Sequence, residues 1–212
     1  MDGDGDLDVI AAEATGGVSW YAWGGALWHE HPVTTVDAGD VPQGVLGQDM
    51  DGDGDGDVLV AAHDLNTVAW HEVTSTVTGS TVSFSYTEHV ISSSVTEAKS
   101  IAVGDVDGDG DVDVASTAKD SGLGNLAWHE QLSASWADHS VATDLRNLRK
   151  PYLADMDGDS DLDLLQLCTS SSGGYVCRAD SPLMNRGAAA TRIFRGDESR
   201  PRRGRDADSP RS

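Results

Sequence analysis

The sequence predicts an all-β chain, and its local patterns are the first evidence for this fold class. Short apolar runs recur between turns rich in Gly, Asp, Asn and Ser, as expected of buried strands. No window keeps a 3.6-residue apolar period, so helices are not expected. The chain has 212 residues, which is enough for one domain with a hydrophobic core.

A nine-residue acidic segment, residues 105–113, carries aspartate at every odd position and glycine at the sixth. Two such carboxylates ~4 Å apart repel each other by about 1 kcal/mol in water and roughly 4 kcal/mol near a protein surface. A hard dication offsets this repulsion, and calcium accepts about six to eight oxygen ligands in a flexible shell. Gly110 permits the sharp turn that position 6 needs. The segment therefore predicts a calcium loop.

The acidic segment occurs four times in one frame, which a solvated or disordered acidic run would not explain. We call residues 1–8, 49–57, 105–113 and 155–163 the first to fourth loops; the first begins at position 2 and lacks the position-1 aspartate. The third-position aspartates lie 49, 56 and 50 residues apart, a period that favours a four-stranded propeller blade. The predicted calcium ligands are Asp2, Asp4, Asp6, Asp8, Asp49, Asp51, Asp53, Asp55, Asp57, Asp105, Asp107, Asp109, Asp111, Asp113, Asp155, Asp157, Asp159, Asp161 and Asp163.

Each period predicts the same strands in the same order. The strands after the loops are residues 9–12, 58–62, 114–118 and 164–167. Strands built on a Trp-His-Glu segment follow at 27–30, 69–72 and 127–130, and strands with a histidine before an aliphatic residue at 31–33, 84–91 and 136–141. The strands entering the next loop are 44–47, 100–103 and 151–154. Together, these strands predict blade units at about 1–43, 44–97, 98–149 and 150–177, the last one partial.

The prediction is thus a β-propeller-like array of about three and a half four-stranded blades over residues 1–177. Closed propellers generally need about four to eight blades, so we expect an open array, a fragment, or a protomer that closes with others. Residues 178–212 are rich in Arg, Pro and Ser and poor in aliphatic residues, and we expect them to be disordered.

The charge is unevenly distributed along the chain. The formal net charge is -22, but residues 1–177 hold 5 Lys and Arg against 31 Asp and Glu, whereas residues 178–212 hold 9 Arg against 5 acids. The acidic body makes nucleic acid an unsuitable partner. No apolar stretch approaches the ~18 residues of a transmembrane helix, so membrane insertion is not expected, and no signal peptide is visible.

Over residues 1–167, these segments together resemble FG-GAP repeats of the integrin-alpha type, in the variant called VCBS repeats. The matching pieces are the Asp-x-Asp-Gly-Asp-Gly-x-x-Asp loop, the apolar strand after it, the Trp-x-Glu strand and the His-Val-Ile strand. The resemblance implies a β-propeller with one Ca²⁺ loop between the first two strands of each blade. It also implies an extracellular or cell-surface module for adhesion or ligand binding. Ser160 replaces the position-6 glycine, and Cys177 falls near an expected tryptophan.

No catalytic function is expected from this chain. His29, His71 and His129 each precede a glutamate and recur once per blade, as structure demands, and no Gly-x-Ser-x-Gly motif is present. The tryptophans before these histidines are expected in the core. The alternatives are the propeller portion of a larger secreted hydrolase or lyase, or a carbohydrate-binding module. A protein or glycan ligand and self-association through open blade edges are the expected interactions. Whether Cys168 and Cys177, which flank a predicted hairpin, form a disulfide is left open.

Overall fold

The computed structural model describes residues 1, 5–14, 16–35, 41–79, 81–120, 123–145, 148–156, 162–170, 173–179 and 192–195. For residues 34–35, 120, 144, 167–170, 173–179 and 192–195, only the backbone is described. The regular secondary structure of these residues is entirely β, which confirms the predicted fold class. Among the same residues, there is no helix that could cross a membrane.

In the described part of the chain, fifteen strands form four antiparallel sheets, which we call the first to fourth blades. The first blade contains β1 (Val9–Ala12), β2 (Gly17–Trp23) and β3 (Trp28–Thr35). The second contains β4 (Pro42–Gln48), β5 (Asp57–Ala62), β6 (Thr67–Thr78) and β7 (Thr81–Ser92). The third contains β8 (Ala98–Gly104), β9 (Asp113–Asp120), β10 (Leu123–Leu132) and β11 (Ser135–Leu145). The fourth contains β12 (Tyr152–Ala154), β13 (Asp163–Ser170), β14 (Gly173–Ala179) and β15 (Arg192–Arg195). Strands that follow each other in the chain are neighbours in each sheet, as in propeller blades.

The fourth blade differs from the partial blade that the sequence predicts. Strand β15 lies in the segment expected to be disordered and pairs with β14, with Ile193 opposite Cys177. Adjacent Ile193 and Phe194 favour a strand, and they stand out in a tail that is otherwise poor in aliphatic residues. Residues 180–191 and 196–212 lie outside the described part, so the expectation of disorder there remains a prediction, as do the unit boundaries.

The register of the fourth blade bears on the two cysteines. Cys168 pairs with Tyr175, and Cys177 pairs with Gln166, so the cysteines lie diagonally across the two strands. Diagonal neighbours in an antiparallel pair are about 7–8 Å apart, whereas the Cα atoms of a disulfide are usually about 4.4–6.8 Å apart. This register does not favour a disulfide between them.

The hydrophobic core consists of layers between successive blades. Because side chains alternate between the two faces of a strand, β5 serves two layers. Val58 and Val60 pack with Val18 and Trp20 of the first blade, whereas Leu59 packs in the cluster that contains residues of the third blade. Leu126, Trp128 and Leu164 form the layer between the third and fourth blades. Each middle blade therefore buries both of its faces.

The position predicted for the second strand of the first blade, residues 27–30, is wrong, because that strand is β2. Trp20 lies opposite Ile10, just as Trp70 lies opposite Leu59 and Trp128 opposite Ala115. The Trp-His-Glu tripeptide at residues 28–30 instead belongs to β3. Trp20 is 0% exposed and Trp28 is 50% exposed, so Trp20 is the core tryptophan. Spacing from the loop carries the signal: the core tryptophans follow their position-9 aspartates by 12, 13 and 15 residues, whereas Trp28 follows Asp8 by 20.

The histidine predicted in the strand after the core tryptophan has the same position, beside that tryptophan, in three blades. Each core tryptophan stacks on it, with ring centroids 4.1 Å apart for Trp20 and His31 and 4.3 Å apart in the other two pairs. Those two pairs are Trp70 with His89 and Trp128 with His139. Glu72 and Glu130 lie 2.8 and 2.7 Å from the Nε2 atoms of the latter two histidines. The recurrence indicates a packing role for these histidines.

Candidate metal centre

The second and third loops fold in the same way, through hydrogen bonds from backbone amides to their own carboxylates. The position-1 carboxylate accepts bonds from the amides of positions 4 and 6. For Asp49 these bonds are 2.8 and 3.1 Å long, and for Asp105 they are 2.7 and 3.1 Å long. Position 3 accepts a bond from position 5, and position 5 from position 7, in both loops. The alternating aspartates therefore shape the loop as well as supply its oxygens.

The position-9 aspartate anchors the loop to the blade. Asp57 and Asp113 are 1% and 0% exposed. One oxygen of each accepts the amide of position 2 at 2.9 Å. The other accepts an amide of the second strand after the loop, from Val73 at 3.0 Å and from Gln131 at 2.9 Å. This carboxylate thus ties three backbone segments together.

The same anchor appears in the two loops that depart from the motif. In the fourth loop, the Met156 amide donates to Asp163 at 2.9 Å. In the first loop, the Met1 amino nitrogen lies 3.1 Å from Asp8 Oδ2. Met1 therefore occupies position 2, as the repeat frame predicts. Of the other predicted ligands, Asp2, Asp4, Asp157, Asp159 and Asp161 lie outside the described residues.

Two groups of carboxylates converge in the described residues. Asp49, Asp51 and Asp57 each offer an oxygen within 4.8 Å of the others, and so do Asp105, Asp107 and Asp109. Asp53, Asp55, Asp111 and Asp113 lie in the same loops but outside these two groups. The predicted ligands of the first and fourth loops are not brought together in such a group within the described residues.

Burial raises the pKa of three aspartates in the second and third loops. Burial raises the pKa of Asp57 to about 6, against the opposing effect of its two backbone hydrogen bonds. Burial also raises the pKa of Asp107 to about 6, and the charges of Asp113 and Asp109 add to the shift. The pKa of Asp113 is raised by burial as well. A cation in the loop would favour the ionised carboxylates.

These donor sets fit calcium. The ligands are hard carboxylate oxygens, which suit Ca²⁺ and Mg²⁺ rather than a soft metal. Oxygens bound to one Ca²⁺ at about 2.3–2.6 Å lie at most about 5 Å apart, which the 4.8 Å spread satisfies. Several carboxylates in a turn of one flexible loop favour Ca²⁺, because Mg²⁺ demands a near-ideal octahedron and retains several waters.

Sequence reasoning missed two contributions to the loop. The glycine at position 4 of the motif has positive φ, 76° at Gly52 and 78° at Gly108, a conformation that was predicted only for position 6. Position 2 is a buried apolar side chain in the second and third loops, where Met50 and Val106 are 3% and 1% exposed, whereas Met156 in the fourth loop is 53% exposed. The signal for position 2 was present in the sequence, because all four loops have Met or Val there.

A second polar cluster lies at the interface of the second and third blades, around His129. Its Nε2 lies 2.8 Å from Ser116 Oγ, and its Nδ1 lies 2.7 Å from Asp138 Oδ1. Asp138 also accepts hydrogen bonds from Ser92 at 2.8 Å and Ser94 at 2.9 Å. Ser92 is the last residue of β7 in the second blade, and Ser94 follows it closely. Burial lowers the pKa of His129 below its usual value, against the opposing effect of the hydrogen bond to Asp138, and so favours the neutral ring.

The connectivity of Ser116, His129 and Asp138 is that of a Ser-His-Asp triad, but its orientation is reversed. In a hydrolase the serine faces the substrate and the aspartate is buried. Here Ser116 and His129 are each 1% exposed, and the side chain of Asp138 is 45% exposed. Burial alone would raise the pKa of Asp138, but hydrogen bonds from His129, Ser92 and Ser94 lower it below its usual value. The arrangement can join two blades, but it offers no exposed nucleophile.

Comparison with known protein families gives one match. The FG-GAP-like repeat matches residues 1–60 and, in a second copy, residues 49–116. The two matches together span the first three loops and end within β9. None of the curated proteins compared with the chain matches it.

Proposed function

Because the chain belongs to the FG-GAP-like repeat family, we propose that it is a calcium-binding, non-catalytic repeat module of the extracellular space or cell surface, used in adhesion or ligand binding. The observation that carries the proposal is the identical hydrogen-bond pattern of the second and third loops, which gathers carboxylate oxygens within 4.8 Å. The extracellular role is proposed because FG-GAP repeats are typically extracellular.

The proposed ligands in the described loops are the carboxylates that converge there. Asp49, Asp51 and Asp57 would hold Ca²⁺ in the second loop, and Asp105, Asp107 and Asp109 in the third. When bound, the ion supplies positive charge that offsets the repulsion among the carboxylates. Position 9 retains its two backbone hydrogen bonds and connects the loop to the strand that carries the core tryptophan.

Thermal unfolding with and without calcium tests this proposal. Free calcium at a hundred times the dissociation constant stabilises the folded chain by about 2.7 kcal/mol per independent site. We expect a melting temperature several degrees higher in millimolar calcium than in excess chelator. The double variant Asp49→Ala/Asp105→Ala should lose most of this difference. Equal melting temperatures of the unmodified chain in both buffers would rule out the calcium function.

Self-association is part of the proposal, because one blade face is exposed. Val9 is 49% exposed, whereas Val58, Val114 and Leu164, which follow the later loops at the same position, are 0% exposed. In those three cases the preceding blade covers the face. We propose that a second copy covers it here. Sedimentation in calcium should show oligomers for the unmodified chain and a smaller species for Val9→Asp.

A carbohydrate-binding module is the second candidate, and an exposed aromatic pair favours it. The rings of Trp23 and Trp28 lie 5.0 Å apart, and Trp28 is half-exposed at the start of β3. Exposed aromatic side chains supply large, rigid contact area for a ligand. Tryptophan fluorescence during titration with oligosaccharides should change for the unmodified chain and not for Trp28→Ala, if this candidate is correct.

Absence of catalysis is likewise a proposal, and it is supported by the burial of Ser116. We expect no hydrolysis of a nitrophenyl ester above that of the matched variant Ser116→Ala. Hydrolysis that disappears in both Ser116→Ala and His129→Gln would overturn this part of the proposal.

A further inference from the structure

The cations of the acidic body are concentrated in one region. Residues 1–177 contain only 5 Lys and Arg. They all lie between residues 99 and 150, and four of them are in the described part of the chain: Lys99, Lys119, Arg149 and Lys150. In a segment with 31 acids, the cations are thus confined to one part of the sequence.

The clustered cations lie at the end of the third blade opposite to its acidic loop. Lys99 is the second residue of β8, and Lys119 is the second-last residue of β9. These strands are antiparallel, with Ala98 opposite Ala118 at one end and Gly104 opposite Asp113 at the other. The third loop joins the ends at Gly104 and Asp113, so the two lysines are at the far end of the same strand pair.

Lys99 and Lys119 line a cavity of about 120 Å³. Its other side chains are apolar, chiefly Leu123, Leu145 and Leu148. Leu148 is buried, and the next residue, Arg149, has its carbonyl fixed by a 2.9 Å hydrogen bond from Gln166 of the fourth blade. The cavity is therefore held between the third blade and the chain that leads to the fourth.

Among the carboxylates whose side chains the structure describes, none pairs with these cations. Each ion pair within 4.0 Å there involves a histidine or the Met1 amino group, not a Lys or Arg. The second blade provides a comparison, since Pro42 lies opposite Ala62 just as Ala98 lies opposite Ala118. Its residues at the two lysine positions are Gln43 and His63, so the cationic pair belongs to the third blade and not to the repeat.

We propose that this cavity binds a small oxyanion, with Lys99 and Lys119 as its two cationic contacts. The volume of about 120 Å³ is well above the roughly 10–15 Å³ that one water molecule needs, which leaves room for a sulfate-, phosphate- or carboxylate-sized group. It is far below the roughly 300–1,000 Å³ of sites for drug-sized ligands. Lysine ammonium groups bind such anions as compact point charges, and the leucine side chains of the lining bring no competing charge.

The experiment is an amide NMR titration of the full chain with sulfate and, separately, with acetate, at constant ionic strength and in calcium. We expect saturable shifts at the amides of residues 98–99, 118–119, 123–124 and 148. Binding of either anion at these amides supports the proposal, and the tighter one identifies the preferred group. No localised, saturable shift with either anion would overturn it.

Charge variants test the two lysines separately from net charge. Lys99→Gln and Lys119→Gln should each weaken the anion on the order of tenfold, as expected for loss of one charged contact. Thr81→Glu, at the exposed start of β7, lowers the net charge by the same amount and should leave the affinity unchanged. Equal affinity in all three variants would contradict the assignment. The anion site does not depend on the calcium proposal, because its contacts come from the opposite end of the blade.

Discussion

The second and third blades contain the same Trp-His-Glu segment in the same register, yet their histidines have different surroundings. His71 lies opposite Val58 and Glu88, and His129 opposite Val114 and Asp138. His129 has hydrogen-bond partners on both ring nitrogens. His71 has no such side-chain bond among the contacts of the described residues. Val60 occupies in the second blade the register position of Ser116 in the third.

The acidic loops of the same two blades, in contrast to the histidines, have the same hydrogen-bond partners. Their carboxylates accept the same amides at nearly the same distances, down to the bond from position 2 to position 9. Each loop obtains these bonds from its own backbone and one neighbouring strand. A feature built from local backbone contacts repeats between blades, whereas one built from side chains on three strands and a second blade does not.

The largest expected effect is the difference in stability between loss of the anchoring aspartate and loss of a ligand aspartate from the same loop. Asp113→Ala removes a buried carboxylate and leaves two backbone amides without their acceptor, at about 1–3 kcal/mol each. Asp105→Ala removes a carboxylate whose amide partners are exposed. Urea unfolding in chelator should therefore show a loss of several kcal/mol for Asp113→Ala and a much smaller loss for Asp105→Ala. Equal losses in chelator would contradict the anchoring role.

The histidines provide the next comparison. His129→Leu should lower the free energy of unfolding by about 2–4 kcal/mol, because Ser116 and Asp138 each lose a partner. His71→Leu should cost less than about 1 kcal/mol, since the buried ring makes no such side-chain hydrogen bond among the contacts of the described residues. Denaturant unfolding of the two matched variants measures the difference. A larger loss for His71→Leu would mean that the His129 contacts do not join the blades.

The pH dependence of stability sharpens the same comparison. Burial lowers the pKa of His129 and of His71 in the folded chain, so the unfolded chain binds more protons below about pH 6.5. Their contribution to stability is thus present above that pH and is lost as the pH falls. Asp138 favours the charged form of His129, and His139 opposes it. Melting curves from neutral to mildly acid pH should show a smaller decline for His129→Gln than for the unmodified chain; parallel curves would exclude His129 as the titrating group.

The smallest expected effect concerns the loop backbone. Gly108 has φ of 78°, where a Cβ is strained, so Gly108→Ala should cost on the order of 1 kcal/mol. Gly56 in the second loop is not among the glycines with positive φ and is a matched control. Gly56→Ala should be nearly neutral by thermal unfolding. A neutral Gly108→Ala would show that position 4 does not need glycine.

The sequence was sufficient for features that recur at a fixed spacing. The loops, the strands after them and the histidines at 31, 89 and 139 could be placed from the repeat alone. Trp20 was missed because Trp28 heads an identical tripeptide, although its spacing from the loop is too long. The contact between His129 and Asp138 could not be predicted, because it depends on the pairing of β10 with β11, whose register shifts near Leu126.

The central claim is that the loops bind calcium through their converging carboxylates, and ion counting by calorimetric titration tests it most directly. Asp49→Ala and Asp105→Ala should each bind about one ion fewer than the unmodified chain, because each removes a position-1 ligand from a different loop. Ser83→Ala, in the exposed part of β7, should leave the count unchanged. A count that is the same in the unmodified chain and in both aspartate variants would contradict the account.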